Sequence, residues 1–130
     1  MSLPDIKDLT DIKLLVDSFY DKIRNDPKLS PIFNEVIKDK WPVHLEKMYT
    51  FWQTALLSEH TYFGRPFPPH AQLPVDASHF DRWITLFYET IDENFVGEKA
   101  DEAKIRSGKM AMMFQYKIEY FRESGKKPLM

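Results

Sequence analysis

The chain has no cysteine among its 130 residues, and this absence excludes several classes of chemistry. Without thiolates there can be no disulfides, no cysteine nucleophile, no iron–sulfur cluster and no cofactor attached through a Cys-x-x-Cys-His sequence. Any metal chemistry must therefore use histidine, tyrosine, methionine or carboxylate side chains. The histidines can be counted individually: His44, His60, His70 and His79.

Strong charge and long apolar runs are also lacking. The formal net charge is −2 and the sequence pI is about 6.1, so nothing favours nucleic acid or an anionic membrane as a partner. No apolar run has the length of a membrane span, and the charged N-terminus has no signal-peptide core. We expect a single cytoplasmic domain over residues 1–130, with residues 1–8 and 124–130 as frayed tails.

Several catalytic motifs are missing as well. The sequence has no His-Glu-x-x-His, no glycine-rich phosphate loop, no serine in a nucleophile elbow and no flavin or nicotinamide motif. Hydrolase and phosphotransferase functions therefore have no support. What the chain does have is aromatic side chains, which make 15% of it and include ten Phe and three Trp.

Apolar periodicity predicts an all-α protein with about five main helices and no strand. The first helix begins after Asp8 and is stopped by Asn25-Asp26-Pro27. Ser30-Pro31 and Trp41-Pro42 each indicate a helix start with proline in the first turn. A later helix opens at Ser78-x-x-Asp81, which resembles a capping box, and the last runs from about Glu98 to Arg122 after a terminating Gly97.

Several residues on the predicted helices have an ordinary structural role as well as a possible functional one. On the third helix His44, Met48 and Phe51 share one apolar face, where a histidine is usually a boundary residue with its tip in water. On the first helix Tyr20 follows Phe19 near the end of the buried stripe, where tyrosine is more often a core filler. Three methionines of the last helix are most simply core filler too: Met110, Met112 and Met113.

A proline-rich segment lies between the third and fourth predicted helices. It runs from Tyr62 to Trp83 and reads YFGRPFPPHAQLPVDASHFDRW, with four prolines that block a regular helix. It is either a surface loop with an incidental histidine, or a rigid support that holds His70 against the core as a ligand to a metal or cofactor. Haem would use one such imidazole together with an apolar slot.

The sequence resembles the group III truncated haemoglobins over nearly its whole length. The resemblance rests on the order and separation of six landmarks: Phe19-Tyr20, Pro31-Ile32-Phe33, Trp41 with His44, Phe51-Trp52, Tyr62-x-Gly64-x-Pro66 leading to His70, and Phe80-x-x-Trp83-x-x-x-Phe87. The glycine-pair motifs of the other truncated groups are absent.

This resemblance implies a globin-like, two-over-two helical sandwich around haem b. It implies that His70 is the proximal iron ligand and that Tyr20, His44 and Trp83 are the distal polar residues. Phe33 would pack on the haem edge, Met48 and Phe51 would line the distal wall, and Lys47 or Arg65 would pair with the propionates. His60 and His79 stay outside the site.

The function that follows from the resemblance is reversible binding of oxygen and other diatomic ligands, including nitric oxide and carbon monoxide, at a pentacoordinate iron. One alternative is a nitric oxide dioxygenase or peroxidase-like haem enzyme, which would need a separate reductase. A second alternative is a cofactor-free helical interaction module, which predicts an exposed apolar patch and a stable fold without haem. A monomer or weak dimer is expected.

Overall fold

The computed structural model describes residues 3–58 and 75–124, and within these ranges the chain forms five α-helices and no strand. They are α1 (Leu9–Asn25), α2 (Ser30–Ile37), α3 (Trp41–Leu57), α4 (Ala77–Asn94) and α5 (Glu98–Ser124). The all-α prediction is confirmed. None of these helices is apolar over a stretch long enough to cross a membrane.

Two helix pairs make the body of the molecule. Helix α1 packs against α3, α4 packs against α5, and contacts between α1 and α4 join the pairs. The short α2 lies against α1, and α3 touches α5. This is the predicted two-over-two arrangement. The largest fully buried side chains come mainly from α1 and α4 and include Phe19, Phe87, Ile12, Leu15, Ile23 and Ile91.

The turn between α1 and α2 is organised by Asp26, which is only 4% exposed. Its carboxylate accepts hydrogen bonds from the backbone N–H groups of Lys28 (3.1 Å) and Leu29 (3.0 Å), and from Nε of Arg82 on α4 (2.6 Å). The sequence predicts Ser30 as the N-cap of α2, and this is wrong. Ser30 is already helical, and the N-cap residue Leu29 makes no side-chain cap, because Asp26 satisfies the free N–H groups instead.

The start of α4 also differs from the prediction. The capping box consists of Asp76 and His79, not Ser78 and Asp81. The Asp76 carboxylate accepts a hydrogen bond from the Ser78 backbone N–H at 2.9 Å, while Nδ1 of His79 accepts one from the Asp76 N–H at 3.0 Å. Hydrogen bonds from the Ser78 side chain and backbone, with the nearby His79, lower the pKa of Asp76 to about 2. His79 is therefore a capping residue.

The N-terminal segment is anchored to the corner between α4 and α5. The sequence places residues 1–8 in a frayed tail, but Ile6 is 2% exposed and the Asp5 carboxylate accepts hydrogen bonds from the N–H groups of Lys99 (3.0 Å) and Ala100 (2.9 Å). Asp5 thus caps the first turn of α5. The corner passes through Gly97 at φ +136°. The prediction that Gly97 terminates the preceding helix is wrong, because α4 ends at Asn94 and Phe95 is its C-cap.

Helix α5 buries one stripe and exposes the other. Met110 packs against both hydrophobic clusters of the core, as predicted. Met112 is 74% exposed and Met113 is 44% exposed, so their prediction as core filler is wrong. The reason is the helical period: the inward positions there belong to Ala111 and Phe114, which are three residues apart and share one face, and the two residues between them are turned away from it.

Candidate functional site

Tyr20 is the polar side chain at the centre of the candidate site. It lies in the last turns of α1, is 7% exposed, and is enclosed by aromatic rings. Burial raises the pKa of its phenol above the ordinary value. Among the residues that the structure describes, the hydroxyl has no hydrogen-bond partner. Tyr20 therefore presents a neutral donor at a largely buried position.

His44 meets Tyr20 from the opposite helix. Helix α3 begins at Trp41, and three residues later, on the same face, it carries His44. The His44 and Tyr20 rings meet edge to face, with centroids 5.1 Å apart and planes at 90°. Nε2 of His44 is buried. Two of the predicted distal residues are thus in contact.

Trp83 does not contact Tyr20 directly in the ring contacts but is connected to it through Phe19. Its indole meets Phe19 edge to face at 5.4 Å, and Phe19 meets Tyr20 at 5.0 Å. On its other side Trp83 stacks on Phe87, with centroids 5.5 Å apart and planes at 4°. The structure therefore places Trp83 one ring away from Tyr20, half-buried and fixed in orientation by two phenylalanines.

The predicted apolar lining residues lie around these polar groups. Phe33 of α2 meets the Tyr20 ring at 6.1 Å. Met48 and Phe51 follow His44 along α3, and both are half-buried against the main core. A second apolar cluster lies beside α5, made of Val75, Phe114 and Ile118 with Ile32, Phe80 and Met110 packed on it.

His70 and Arg65 lie outside the described residues, as does His60. Their predicted roles, as proximal iron ligand for His70 and as propionate partner for Arg65, stay predictions. Lys47, the other predicted propionate partner, is exposed on α3.

Trp41 is a site residue that the sequence reasoning missed as such. The sequence gives it no role beyond a helix start and, with His44, a landmark of the family resemblance, but its ring contacts both Tyr20 (5.7 Å) and His44 (5.8 Å). The spacing of Trp41 and His44 could have indicated this, since residues three positions apart share a helix face.

Comparison with known proteins agrees with this arrangement. Residues 7–116 match the family model described as bacterial-like globin. The group 3 truncated hemoglobin ctb of Campylobacter jejuni is 34% identical over 108 residues, which are 80% of this chain and 85% of that protein. The crystal structure of the group III truncated hemoglobin from Campylobacter jejuni superposes with a TM-score of 0.81 at 31% identity, covering 91% of this chain and 95% of the other.

A helical sandwich with an aromatic pocket, a family match over most of the chain and a close structural relative all agree. The chain therefore belongs to the bacterial-like globin family and, within it, to the group III truncated haemoglobins, a membership that carries haem-based gas binding as its general activity.

Proposed function

We propose that the chain binds haem b, with His70 as the axial ligand of a five-coordinate iron, and that it holds oxygen and other diatomic ligands in a polar distal pocket formed by Tyr20, His44 and Trp83. When bound, haem supplies one open coordination position to a gas molecule. The single observation that carries the proposal is the buried, neutral Tyr20 hydroxyl in ring contact with His44.

The described residues suit a large flat apolar group. Such a group needs apolar walls and a small number of placed polar atoms. Phe33, Met48 and Phe51 supply half-buried apolar surface next to the polar residues. Phe33 would pack against the edge of the ring, and the two α3 residues would line its distal side.

The role of Tyr20 follows from its burial. Because burial raises the pKa of the phenol, the hydroxyl keeps its proton at neutral pH and well above it. Oxygen and nitric oxide acquire partial negative charge when haem holds them, and a preorganised donor in a dry site stabilises that charge more than water would. Tyr20 donates this hydrogen bond.

His44 and Trp83 complete the pocket as second and third donors. His44 is held edge-on against Tyr20 and Trp41, so its imidazole faces the same space as the phenol. Trp83 contributes an indole N–H whose plane is set by Phe19 and Phe87. Three donors predict slow ligand release, which suits storage, sensing or chemistry on the ligand better than bulk oxygen transport.

The test is the absorption spectrum of the haem-reconstituted protein, for wild type, His70→Ala and the matched control His60→Ala. We expect a Soret band in wild type and in His60→Ala, and its loss or strong alteration in His70→Ala. Absence of haem uptake by wild type would overturn the proposal. An unchanged His70→Ala spectrum would overturn the assignment of His70 alone.

The same protein separates ligand binding from the enzymatic alternative. Oxygenated protein mixed with nitric oxide, excess oxygen and a chemical reductant should convert about one equivalent of nitric oxide per iron to nitrate in a single event if the chain is a ligand-binding protein. Sustained consumption would instead indicate a nitric oxide dioxygenase, whose natural reductase would be a separate protein.

A further inference from the structure

Trp41 occupies a special position at the first turn of α3. Its ring is 6% exposed and makes edge-to-face contacts with both polar residues of the distal pocket, Tyr20 at 5.7 Å and His44 at 5.8 Å. Tyr20 and His44 also contact each other, so the three rings form a closed triangle. Moving any one of them changes the surroundings of the other two.

Two groups on other elements hold the Trp41 ring from outside the triangle. The indole Nε1 donates a hydrogen bond to the side-chain oxygen of Asn34, near the end of α2, at 3.3 Å. The guanidinium of Arg24, on α1, lies over the indole ring at 4.7 Å from its centroid. The Trp41 side chain is therefore attached to α3 through its own backbone and held by one contact from α1 and one from α2.

These anchors matter because the ring borders a cavity on one side. A cavity of about 330 Å³ opens between α1 and α3, and its lining includes Trp41 and Tyr20 together with Arg24 and Leu45. A side chain next to open space can change its rotamer without displacing neighbours. The hydrogen bond to Asn34 and the contact with Arg24 oppose that rotation.

We propose that Trp41 is a positioning residue of the distal pocket, locked by Asn34 and Arg24, and that it sets the orientation of the Tyr20 hydroxyl and the His44 imidazole toward the bound ligand. This inference rests on the haem function proposed above. Trp41 itself has its indole N–H directed to Asn34, so it acts through its two neighbours and donates nothing to the ligand.

The test is the infrared C–O stretch of the carbon monoxide complex. A hydrogen bond from a donor to the oxygen of carbon monoxide lowers this frequency, so the band reports donor geometry and not stability. We expect one narrow band in wild type, and additional or broadened bands at higher frequency in Trp41→Leu. The oxygen off-rate should rise about tenfold in the same variant, because misplaced donors lose most of their hydrogen bond.

Conservative and peripheral variants make the test specific. Trp41→Phe keeps an aromatic ring in the triangle but loses the bond to Asn34, so its band should lie between those of wild type and Trp41→Leu. Arg24→Gln should broaden the band, whereas Lys13→Gln should not. Lys13 is the matched control because it lies over an aromatic ring in the same way, at 5.6 Å from the centroid of Tyr49.

Loss of stability is controlled separately. Ile6→Ala removes a buried side chain of the N-terminal segment, outside the candidate site, and should lower stability while leaving the C–O band unchanged. If Trp41→Leu fails to fold, Asn34→Ala and Arg24→Gln still decide the question, because both change exposed residues. A wild-type band in both would overturn the inference.

The outcomes distinguish the two proposals. A wild-type protein that takes up no haem overturns the haem function and this inference with it. Haem uptake with identical C–O bands in wild type, Trp41→Leu and Arg24→Gln overturns only the positioning role. A shifted band in Trp41→Leu that Trp41→Phe partly restores supports both.

Discussion

At the scale of single residues, the chemistry of the pocket depends on one hydroxyl. The ring of Tyr20 is in contact with the rings of Phe19, Phe33, Trp41 and His44, and the residue is 7% exposed. A buried donor has already lost most of its hydrogen bonding to water. A ligand that accepts its hydrogen bond therefore gains a stabilisation that does not have to compete with water.

Tyr20→Phe should therefore raise the oxygen off-rate roughly 5- to 150-fold, because a buried hydrogen bond contributes about 1–3 kcal/mol. Stopped-flow mixing of the oxygenated protein with excess carbon monoxide measures this rate. Tyr88→Phe is the matched control, since that hydroxyl donates to the Lys104 carbonyl at 3.0 Å, between α4 and α5. Equal off-rates in the two variants would exclude Tyr20 as the principal donor.

The raised pKa of Tyr20 also predicts how ligand release depends on pH. Because burial disfavours the phenolate, the folded-state pKa lies above the ordinary value of about 10, and the hydroxyl stays a donor up to and beyond that pH. The off-rate should stay constant from pH 7 to about pH 10. A rise in the off-rate that begins below the ordinary tyrosine pKa would contradict this assignment.

At the scale of elements, Asp26 joins three helices. Its carboxylate caps α2 and pairs with Arg82 of α4, immediately before Trp83 in sequence. Burial alone would raise the pKa of Asp26, but the hydrogen bonds from Arg82 and the backbone N–H groups outweigh it, and the pKa is lowered. The same contact therefore supports both the fold and the helix that carries Trp83.

Asp26→Asn should lower the free energy of unfolding by about 2 kcal/mol at pH 7, toward the low end for a buried pair because Arg82 is partly solvated. A depressed pKa stabilises the fold above the unfolded-state value of about 3.9, and this stabilisation is lost as the pH falls through the folded-state pKa. The difference between the variant and wild type should thus shrink below about pH 4. Urea unfolding at several pH values measures it.

The control for this change is Asp81→Asn, an exposed carboxylate next to Arg82 in the same helix. Its effect should stay within about 0.5 kcal/mol at every pH. A pH-independent cost for Asp26→Asn would show that the charge of Asp26 contributes nothing to stability.

Gly97 makes a second prediction at this scale. An added Cβ would lie 2.5 Å from Cγ of Asp5, and φ +136° is strained for any other residue. Gly97→Ala should therefore cost about 3 kcal/mol in thermal or urea unfolding. Gly108→Ala is the comparison: its Cβ would lie 2.9 Å from the Tyr88 hydroxyl oxygen, the far end of a side chain, so its cost should stay near or below about 1 kcal/mol. Similar costs would refute the role of the Asp5 contact.

The elements themselves could be read from the sequence, because an amphipathic stripe repeats every three or four residues and needs no tertiary knowledge. The caps were less predictable. Ser30 and Ser78 have the right chemistry for an N-cap, but both lie inside their helices, and the carboxylates that accept N–H groups at these two helix starts belong to Asp26 and Asp76. Which residue takes this place depends on the path of the chain. The bond between Asp26 and Arg82 spans 56 residues and leaves no local pattern.

The candidate site was predictable to the extent that its residues belong to a family pattern. Tyr20, Phe33 and His44 were named from the sequence, and the structure brings them together. Trp41 was not assigned a role, since its importance comes from anchors on two other helices. Such a role exists only once the helices have packed.

At the scale of the whole molecule, the proposed cofactor would be part of the core. Removing haem should leave the apolar walls around Phe33, Met48 and Phe51 without a partner. We expect far-ultraviolet circular dichroism to show less helix in the haem-free protein, and we expect its midpoint of urea unfolding to be lower. Readdition of haem should restore both. A haem-free protein with unchanged helix content and midpoint would instead favour the cofactor-free interaction module.

The capping of α5 by Asp5 has a consequence for how the chain is made. The hydrogen bond from the Ala100 N–H to Asp5 joins residues 95 positions apart, so it cannot form until Ala100 has been synthesised. At ribosomal speeds that interval is roughly 5–20 seconds. Helices α1 to α4 emerge first, and the N-terminal segment can close over the corner only after the start of α5 has left the ribosome. A segment that is synthesised before all five helices is thus among the last parts of the molecule to reach its final place.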